Sequence, residues 1–391
     1  MSQKSIPVIF HFVTWYPSAS DHVNGIFIRR HIELLAADRS FRHIIIRKSE
    51  KEISIFRHIL SLIGFFRKDR MGKIEVIQLP HNSFLYRKFF WRYRKTFERI
   101  QLDRLIKKYK PKIVHLHVVY GFAKEALYIK AKHSIKYIVS EHMAPFPFDW
   151  ITDLKGLVID PVKNAEAVVA VSSAQANQIR AFTGVQPLVI PNVVSDKEFN
   201  HFPADKQPTK NINVVLVGIY DNRKGADYLI SVFEAFSKIY ANAVLHLVGE
   251  ADADRKSSLM NLVEKNGLAN NTVFHGRLSA LEICTLYNQC DFYVCPSTWE
   301  SFGVSVLEAL YTGLPVLTTN CGGVLDLINE ENGIIIENDR SKETLLNGMI
   351  AMMEKLKQFD RTEIARRSNL KFSEKAIKEK YFEIYSRLLI A

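Results

Sequence analysis

Short apolar runs without interruption recur along the whole chain, and most are followed by a segment of helical period. In the C-terminal half the runs fall at residues 213–217, 244–248, 272–275, 292–295, 315–318 and 333–336. Helical periodicity lies between them at 227–240, 255–265, 280–288 and 304–311. Runs of four to six residues that do not alternate with polar ones are strands buried on both faces, as in a parallel sheet covered by helices. The N-terminal half repeats the pattern, with strands expected at 8–13, 43–47, 74–79, 113–117, 137–140, 168–171 and 188–190. Its clearest helices are 26–37, 123–133 and 174–182. The polar stretch 195–211 holds two prolines and no apolar period, so it separates two units. The expected architecture is α/β, with two tandem Rossmann-like doubly wound domains over 1–200 and 201–371 and a cleft between them. An amphipathic helix over 372–391 has no strand to return to and can pack on either domain, including back on the N-terminal one. Ligands of open parallel sheets bind beyond the carboxyl ends of the strands, so functional residues are expected in the loops that follow them.

Composition narrows the classes. With 47% hydrophobic and 24% charged residues the 391-residue chain reads as globular. No run of 18 uncharged apolar residues is present, which excludes a spanning helix, and residues 1–7 lack the apolar core of a signal peptide. Cys284, Cys290, Cys295 and Cys321 form no C-x-x-C pair and read as reduced structural thiols of a cytosolic chain. Charge is uneven. Residues 1–200 carry 32 Lys+Arg against 17 Asp+Glu, residues 201–391 carry 21 against 24, and residues 51–112 alone carry 17 against 5. A surface of the first half is therefore expected to meet an anionic partner.

The most specific segment runs from Cys295 to Glu308, CPSTWESFGVSVLE. A buried strand passes through a Pro/Ser loop into a helix. Ser301, Phe302, Gly303 and Val304 form the start of that helix, whose unpaired amides and positive dipole end suit a diphosphate. Gly303 permits close approach to the backbone. Glu300 before the helix and Glu308 within it accept hydrogen bonds from hydroxyl groups and bracket the anion. A polyol joined to a diphosphate is a nucleotide sugar. In the loop after strand 213–217, Arg223 and Lys224 supply a planar fork and a point charge for the leaving diphosphate. Gly276, Arg277 and Leu278 end a strand and are expected to meet the base through backbone groups. Asn24 and Gly25 form a tight loop opening the first helix, with Gly25 bringing backbone amides to phosphate or acceptor and Asn24 on the acceptor side. Gly322-Gly323 is either a phosphate-approach loop or a turn. His115 and His117 share one face of a strand, and a metal site there lacks a third ligand in the sequence. They read as structural or cleft-lining, with His117, nearer the strand end, on the acceptor side. No G-x-G-x-x-G or Walker motif opens either sheet, which argues against a dehydrogenase or kinase.

The segment 84–99, FLYRKFFWRYRKTFER, has seven aromatic and six basic residues in 16. With Lys88, Trp91, Arg92, Arg94 and Lys95 it reads as a basic amphipathic helix on an anionic membrane surface, and the apolar segment 53–66 accompanies it. The alternatives are a core helix with a solvated basic face and a nucleic-acid surface. The second lacks any recognised module, so no nucleic-acid partner is expected.

Residues 300–310 (ESFGVSVLEAL) followed by Gly313-Leu-Pro-Val-Leu-Thr-Thr resemble the retaining glycosyltransferases of family 4, which have the two-domain GT-B architecture. The likeness extends over Asp291–Ser297, Phe274–Ser279, Leu247–Glu250 and Val217–Tyr220, and more loosely over Trp15–Ser18, Gly25–Phe27, Ser140–His142 and Pro191–Val193. The resemblance implies that Glu300 contacts hydroxyls of the donor sugar, Glu308 the nucleotide ribose, and Arg223 and Lys224 the pyrophosphate. It implies that His142 faces the donor sugar near its reacting centre. Many members carry an Arg where this chain has Ile219, so the positive charge rests on Arg223 and Lys224. The expected function is transfer of a sugar, of hexosyltransferase type, from a nucleoside-diphosphate sugar to a hydroxyl of a lipid-linked or surface-polysaccharide acceptor. No metal or other cofactor is expected. The work site is the cytoplasmic face of the membrane, reached peripherally. The alternatives are another GT-B enzyme, such as a sugar-nucleotide epimerase or phosphorylase, and a non-catalytic membrane or nucleic-acid binding protein.

Overall fold

A computed structural model of the chain describes residues 6–17, 25–49, 55–80, 93–143, 145–200 and 210–390. It divides into two compact units. The first comprises Met1–Val171, Gln175–Ile190 and Ile377–Ala391; the second comprises Ser172–Ala174 and Pro191–Ala376. Each is built on its own sheet.

The first sheet has eight strands, β1 (Val8–Val13), β2 (Arg42–Lys48), β3 (Arg67–Met71), β4 (Ile74–Leu79), β5 (Ile113–His117), β6 (Lys136–Glu141), β7 (Ala167–Ala170) and β8 (Leu188–Val189), in the order β3-β4-β2-β1-β5-β6-β7-β8. All pairings are parallel except β3–β4. The second sheet has six strands, β9 (Ile212–Val217), β10 (Ala243–Val248), β11 (Thr272–Gly276), β12 (Phe292–Cys295), β13 (Val316–Thr319) and β14 (Gly333–Ile336), all parallel, in the order β11-β10-β9-β12-β13-β14. The chain winds outward from β9 to β11, then restarts at β12 on the other side of β9. That reversal is the topological switch point of a doubly wound sheet, and it parts the two flanking loops to leave a crevice. In the first sheet the reversal falls between β1 and β5.

The continuous apolar runs are central strands, and β1, β5, β7 and β12 are buried along their whole length. The strand that periodicity does not reveal is β3, Arg-Lys-Asp-Arg-Met. Its charges mark a protected edge, because charged side chains on a terminal strand oppose pairing with another chain. Residues 53–66, expected as an apolar segment, contain a helix over Ile55–Leu62 with Phe56, Ile59, Ile63 and Phe65 exposed. The expected helix over 84–99 lies outside the described residues up to 92. The described helix there spans Arg94–Tyr109 and buries Leu102, Leu105 and Ile106 in the core of the first unit.

The last helix, Glu374–Ile390, returns to the first unit. Its buried residues Ile377, Tyr381, Ile384, Tyr385 and Leu388 follow helical spacing and form one stripe. Tyr385 Oη lies 2.7 Å from His115 Nδ1, Tyr381 Oη lies 3.0 Å from Ser140 Oγ, and Lys136 Nζ donates to the Leu388 carbonyl at 2.8 Å. At roughly 1.5–3 kcal/mol for each large buried side chain, this stripe contributes an amount comparable to the net stability of a domain. Ending the chain at Ser373 should therefore abolish cooperative unfolding of the first unit while the second still melts cooperatively. Calorimetry showing two intact transitions in the truncated chain would contradict this.

Candidate functional site

Two loops meet at the switch point of the second sheet. The loop after β9 runs to Gly225, which has φ +69° and precedes the helix Ala226–Ile239. A Cβ at Gly225 would stand 2.4 Å from the Pro296 carbonyl oxygen, so only glycine lets this loop lie against the one that follows β12. Thr298 N–H donates to the Arg223 carbonyl at 2.8 Å and closes the contact. The arrangement sends the Lys224 ammonium to Glu300, with Nζ 2.7 Å from Oε1. Ser297 Oγ donates to the same oxygen at 2.8 Å, while Oε2 accepts no hydrogen bond among the described residues. Both side chains of the pair are largely buried, 20% and 10% exposed. Burial works against the charge on Lys224, but the Glu300 carboxylate outweighs it and the lysine pKa is raised.

The backbone of Glu300 is fixed from a second direction. Its N–H donates to the Cys321 carbonyl at 2.7 Å and its carbonyl accepts from Gly323 N–H at 2.8 Å. Gly322 has φ +88°, and a Cβ on Gly323 would fall 2.1 Å from the Ser301 carbonyl oxygen. The Gly322-Gly323 pair therefore clamps the Glu300 loop. Gly303, at φ +89°, precedes the helix Val304–Tyr311 that carries Glu308, and Glu308 is buried. The Phe302 ring is buried in the core against Phe372, so only its backbone is left to meet a ligand.

Arg223 is held by Asp221, whose Oδ2 accepts from Nη2 at 2.8 Å and from Nε at 3.2 Å, while Oδ1 accepts from both the Arg223 and Lys224 amides. Asp221 and Ser297 are the residues that sequence reasoning missed. Their signal is position alone, two residues before Arg223 and three before Glu300. Gly276 ends β11 at φ +65°, Arg277 pairs with Glu250 at 2.8 Å, and Leu278 is half-buried. Ile219 is exposed.

In the first unit Gly25 has φ +72° and sits against the Trp15 carbonyl, where a Cβ would be 2.6 Å from the oxygen. Asn24, Lys88, Trp91 and Arg92 lie outside the described residues, and of Arg94 only its place at the start of its helix is described. His142 is buried, its ring 5.0 Å from Phe27 and 5.7 Å from His31. His117 is fully buried, which corrects its placement on the acceptor side: a side chain without exposed surface cannot line a binding face. The surface at that end is a cavity of about 1280 Å³. Its walls include Thr14 and Tyr16 after β1, Arg47 and Lys48 at the end of β2, Tyr120–Phe122 after β5, and Lys95, Arg99 and Tyr128 from helices. Lys95, expected at a membrane, thus faces this cavity. Within it Lys48 pairs with Glu125 at 2.7 Å.

Glu141 joins the loops after β5 and β6. Its carboxyl accepts from the amides of Val119, His142 and Met143 at 3.1, 2.7 and 2.8 Å. Burial outweighs these donors and pushes its pKa up to about 7.

Two doubly wound sheets, one with a lysine–glutamate site at its reversal point, make this a two-domain α/β protein of the GT-B fold class. The profile of group 1 glycosyl transferases matches residues 196–368, and that of glycosyltransferase family 4 matches residues 57–198. The chain belongs to the family 4, group 1 glycosyltransferases. It is 34% identical over 122 residues, 31% of its length, to an uncharacterised glycosyltransferase of Methanocaldococcus jannaschii, and 29% identical over 208 residues, 49% of its length, to the lipopolysaccharide core biosynthesis mannosyltransferase LpsB of Rhizobium meliloti. The matched segments span 30% and 57% of those relatives. Among solved structures, sucrose-phosphate synthase of Thermosynechococcus elongatus superposes with a TM-score of 0.77 at 17% identity, covering 98% of this chain and 99% of that one. HepE of Anabaena in complex with UDP gives 0.75 at 17% identity, covering 97% and 100%. At these identities the structural likeness establishes the fold.

Two measurements test the geometry. Glu300→Ala leaves the Lys224 charge buried without its partner and should cost about 3–5 kcal/mol. Glu300→Gln keeps an acceptor for Lys224 and Ser297 and should cost less than half of that. Equal losses in denaturant melts would contradict this, because they would show that the retained acceptor recovers nothing and that the charge of Glu300, absent from both variants, carries the whole effect. The raised pKa of Glu141 has a defined sign: its contribution to stability is complete below about pH 4.5 and is lost as pH rises through about 7. Glu141→Gln should thus raise Tm relative to the parent at pH 8, by an amount equivalent to up to roughly 3 kcal/mol, and change it little at pH 4.5. A difference independent of pH would contradict the burial account.

Proposed function

We propose that the chain is a retaining glycosyltransferase that moves a sugar from a nucleoside-diphosphate donor to a hydroxyl of a saccharide acceptor. The observation that carries this is the convergence of Lys224 and Ser297 on one oxygen of Glu300, with Oε2 left for donor-sugar hydroxyls. The diphosphate falls to Lys224, to Arg223 once it is released from Asp221, and to the backbone of Ser301–Val304. Glu308 takes the ribose, and Gly276, Arg277 and Leu278 meet the base through their backbone. His142 serves as a polar contact to the sugar, and Gly25 brings its backbone to phosphate or acceptor.

In the reaction the bond from the anomeric carbon to the diphosphate oxygen breaks, and its electron pair stays on the diphosphate. The acceptor oxygen bonds to the same face of that carbon and gives its proton to the departing diphosphate. The protein positions the two substrates and stabilises the developing charge. The cations named above supply that stabilisation, so turnover should not depend on added Mg²⁺ or Mn²⁺. HepE, solved with UDP and with UDP-glucose, supports the donor class, and LpsB, named for lipopolysaccharide core, supports a surface-polysaccharide acceptor. The cavity of the first unit, with its cations and aromatic rings, is the acceptor site of this reading.

The acceptor is read as lipid-linked and the protein as peripheral at the cytoplasmic membrane face. The exposed Phe56, Ile59, Ile63 and Phe65 beside a strongly basic region support this. No helix among the described residues is long and apolar enough to cross a membrane.

The test is transfer from a panel of nucleotide sugars, preceded by a thermal-shift screen for the donor. Glu300→Gln should lower transfer at least about 100-fold while the protein stays folded, and a variant with parental turnover removes Glu300 from the mechanism. Liposome co-sedimentation should show binding to anionic vesicles that salt weakens and that Phe56→Ser with Ile59→Ser reduces. Protein left in the supernatant with anionic and neutral vesicles alike at low salt overturns the membrane reading.

A further inference from the structure

One face of the first sheet carries a row of imidazoles. Residues two apart on a strand share a face, and the parallel register sets His11 opposite His115 and Val13 opposite His117. His43 on β2 stands opposite Ile9 and so lies on the same face as His11. His11, His115 and His117 are all fully buried. Their ring nitrogens converge, with one ligand atom from each lying within 4.8 Å of the others. His11 Nδ1 is 3.0 Å from His117 Nε2, and the rings of His115 and His117 stack at 4.0 Å.

We propose that His11, His115 and His117 form a structural binding site for one zinc-class divalent metal ion in the core of the first unit. Imidazole nitrogens are ligands that zinc takes readily. In a tetrahedral site with Zn–N bonds of about 2.0–2.1 Å, two ligating nitrogens stand about 3.3 Å apart, close to the spacing of His11 Nδ1 and His117 Nε2. A His-x-His pair on one strand and a third histidine on its neighbour supply three ligands from a rigid sheet.

The surroundings of His11 and His115 suit such a site, while Nδ1 of His117 is buried without a hydrogen-bond partner among the described residues. Ligation requires neutral rings, and burial disfavours protonation of all three. Metal-bound histidines keep their orientation when the second ring nitrogen is hydrogen-bonded. His11 Nε2 lies 2.8 Å from His43 Nδ1. The two nitrogens of His115 lie 2.7 Å from Tyr385 Oη and 2.7 Å from Ser140 Oγ, so whichever one ligates, the other keeps a partner. Tyr385 also offers an oxygen for the fourth position, and it comes from the last helix. The ion would then fix the returning C-terminal helix to the strands at the switch point. Such a site is closed and structural, and it is separate from the diphosphate chemistry assigned to the second unit.

The experiment uses the full-length protein without an affinity tag. Zinc is measured by mass spectrometry after purification and after loading with Zn²⁺, and Co²⁺ is substituted as a spectroscopic probe. The expected result is one metal per chain, the visible d–d bands of four-coordinate Co²⁺, and a Tm that rises with the logarithm of free Zn²⁺. His11→Asn, His115→Asn and His117→Asn should each weaken binding at least about 100-fold. His246→Asn, which disrupts the His246–His275 contact of the second unit, should leave binding unchanged. Substoichiometric metal with no Co²⁺ bands and no Tm response in the parent protein overturns the proposal, and so does full retention of metal by all three variants. If those variants fail to fold, the parent stoichiometry and Co²⁺ spectrum decide it. These readouts do not involve sugar transfer, so this proposal and the transferase reading fail separately.

Discussion

A lysine ammonium and a glutamate carboxylate held 2.7 Å apart at the reversal point of a parallel sheet set the terms for the second unit. Taking both charges out of water costs several kcal/mol per ion, and their attraction recovers this only with good geometry and further hydrogen bonds. Here those bonds exist. Ser297 shares the oxygen that Lys224 contacts, the Asp221 carboxylate holds the Lys224 amide, and the backbone of Glu300 is bound on both sides by the segment Cys321–Gly323. Three close backbone approaches, at Gly225, Gly322 and Gly323, are needed to bring these loops together. Well-packed apolar residues in place of a buried ion pair are often neutral or stabilising, so stability alone does not account for keeping the charges. A buried ion pair retained at a crevice marks a candidate functional site, and the proposed donor, with hydroxyls and phosphate, would use both charges.

Much of this was legible in the sequence, for physical reasons. Strands buried on both faces must be apolar throughout, so every central strand of both sheets was visible, with ends shifted by at most one residue. Glu300 and Glu308 stood out because carboxylates flanking a helix start contradict the apolar pattern around them. Partnerships between distant segments were not legible. Nothing in the spacing shows that Lys224 reaches Glu300, 76 residues on, or that Gly322-Gly323 clamps a loop rather than a ligand. Both depend on the strand order, which places β12 between β9 and β13. The edge strand β3 was missed because its charges, which prevent unwanted pairing, also erase the strand signal.

The first unit shows the same limit from the other side. His115 and His117 were recognised as sharing a face, but the third histidine lies on β1, 104 residues before His115 in the chain and opposite it in the sheet. The basic charge of residues 51–112 points to one surface facing an anionic partner. The fold distributes its described part among an edge strand, a helix with an exposed apolar side, and the wall of a cavity in which Lys95 and Arg99 stand beside Tyr16, Tyr120 and Tyr128. Composition reports the charge, and only the fold reports which surface carries it.

The central claim is that the Lys224–Glu300 site reads a diphosphate. Titration calorimetry of Lys224→Ala against the parent protein, with a nucleoside diphosphate and with the matching free nucleoside, tests it directly. Loss of one charge-assisted contact of about 1.5–3 kcal/mol predicts a drop of roughly 10- to 150-fold in affinity for the diphosphate, with the nucleoside almost unaffected. Equal losses for the two ligands, or none for either, would contradict the account.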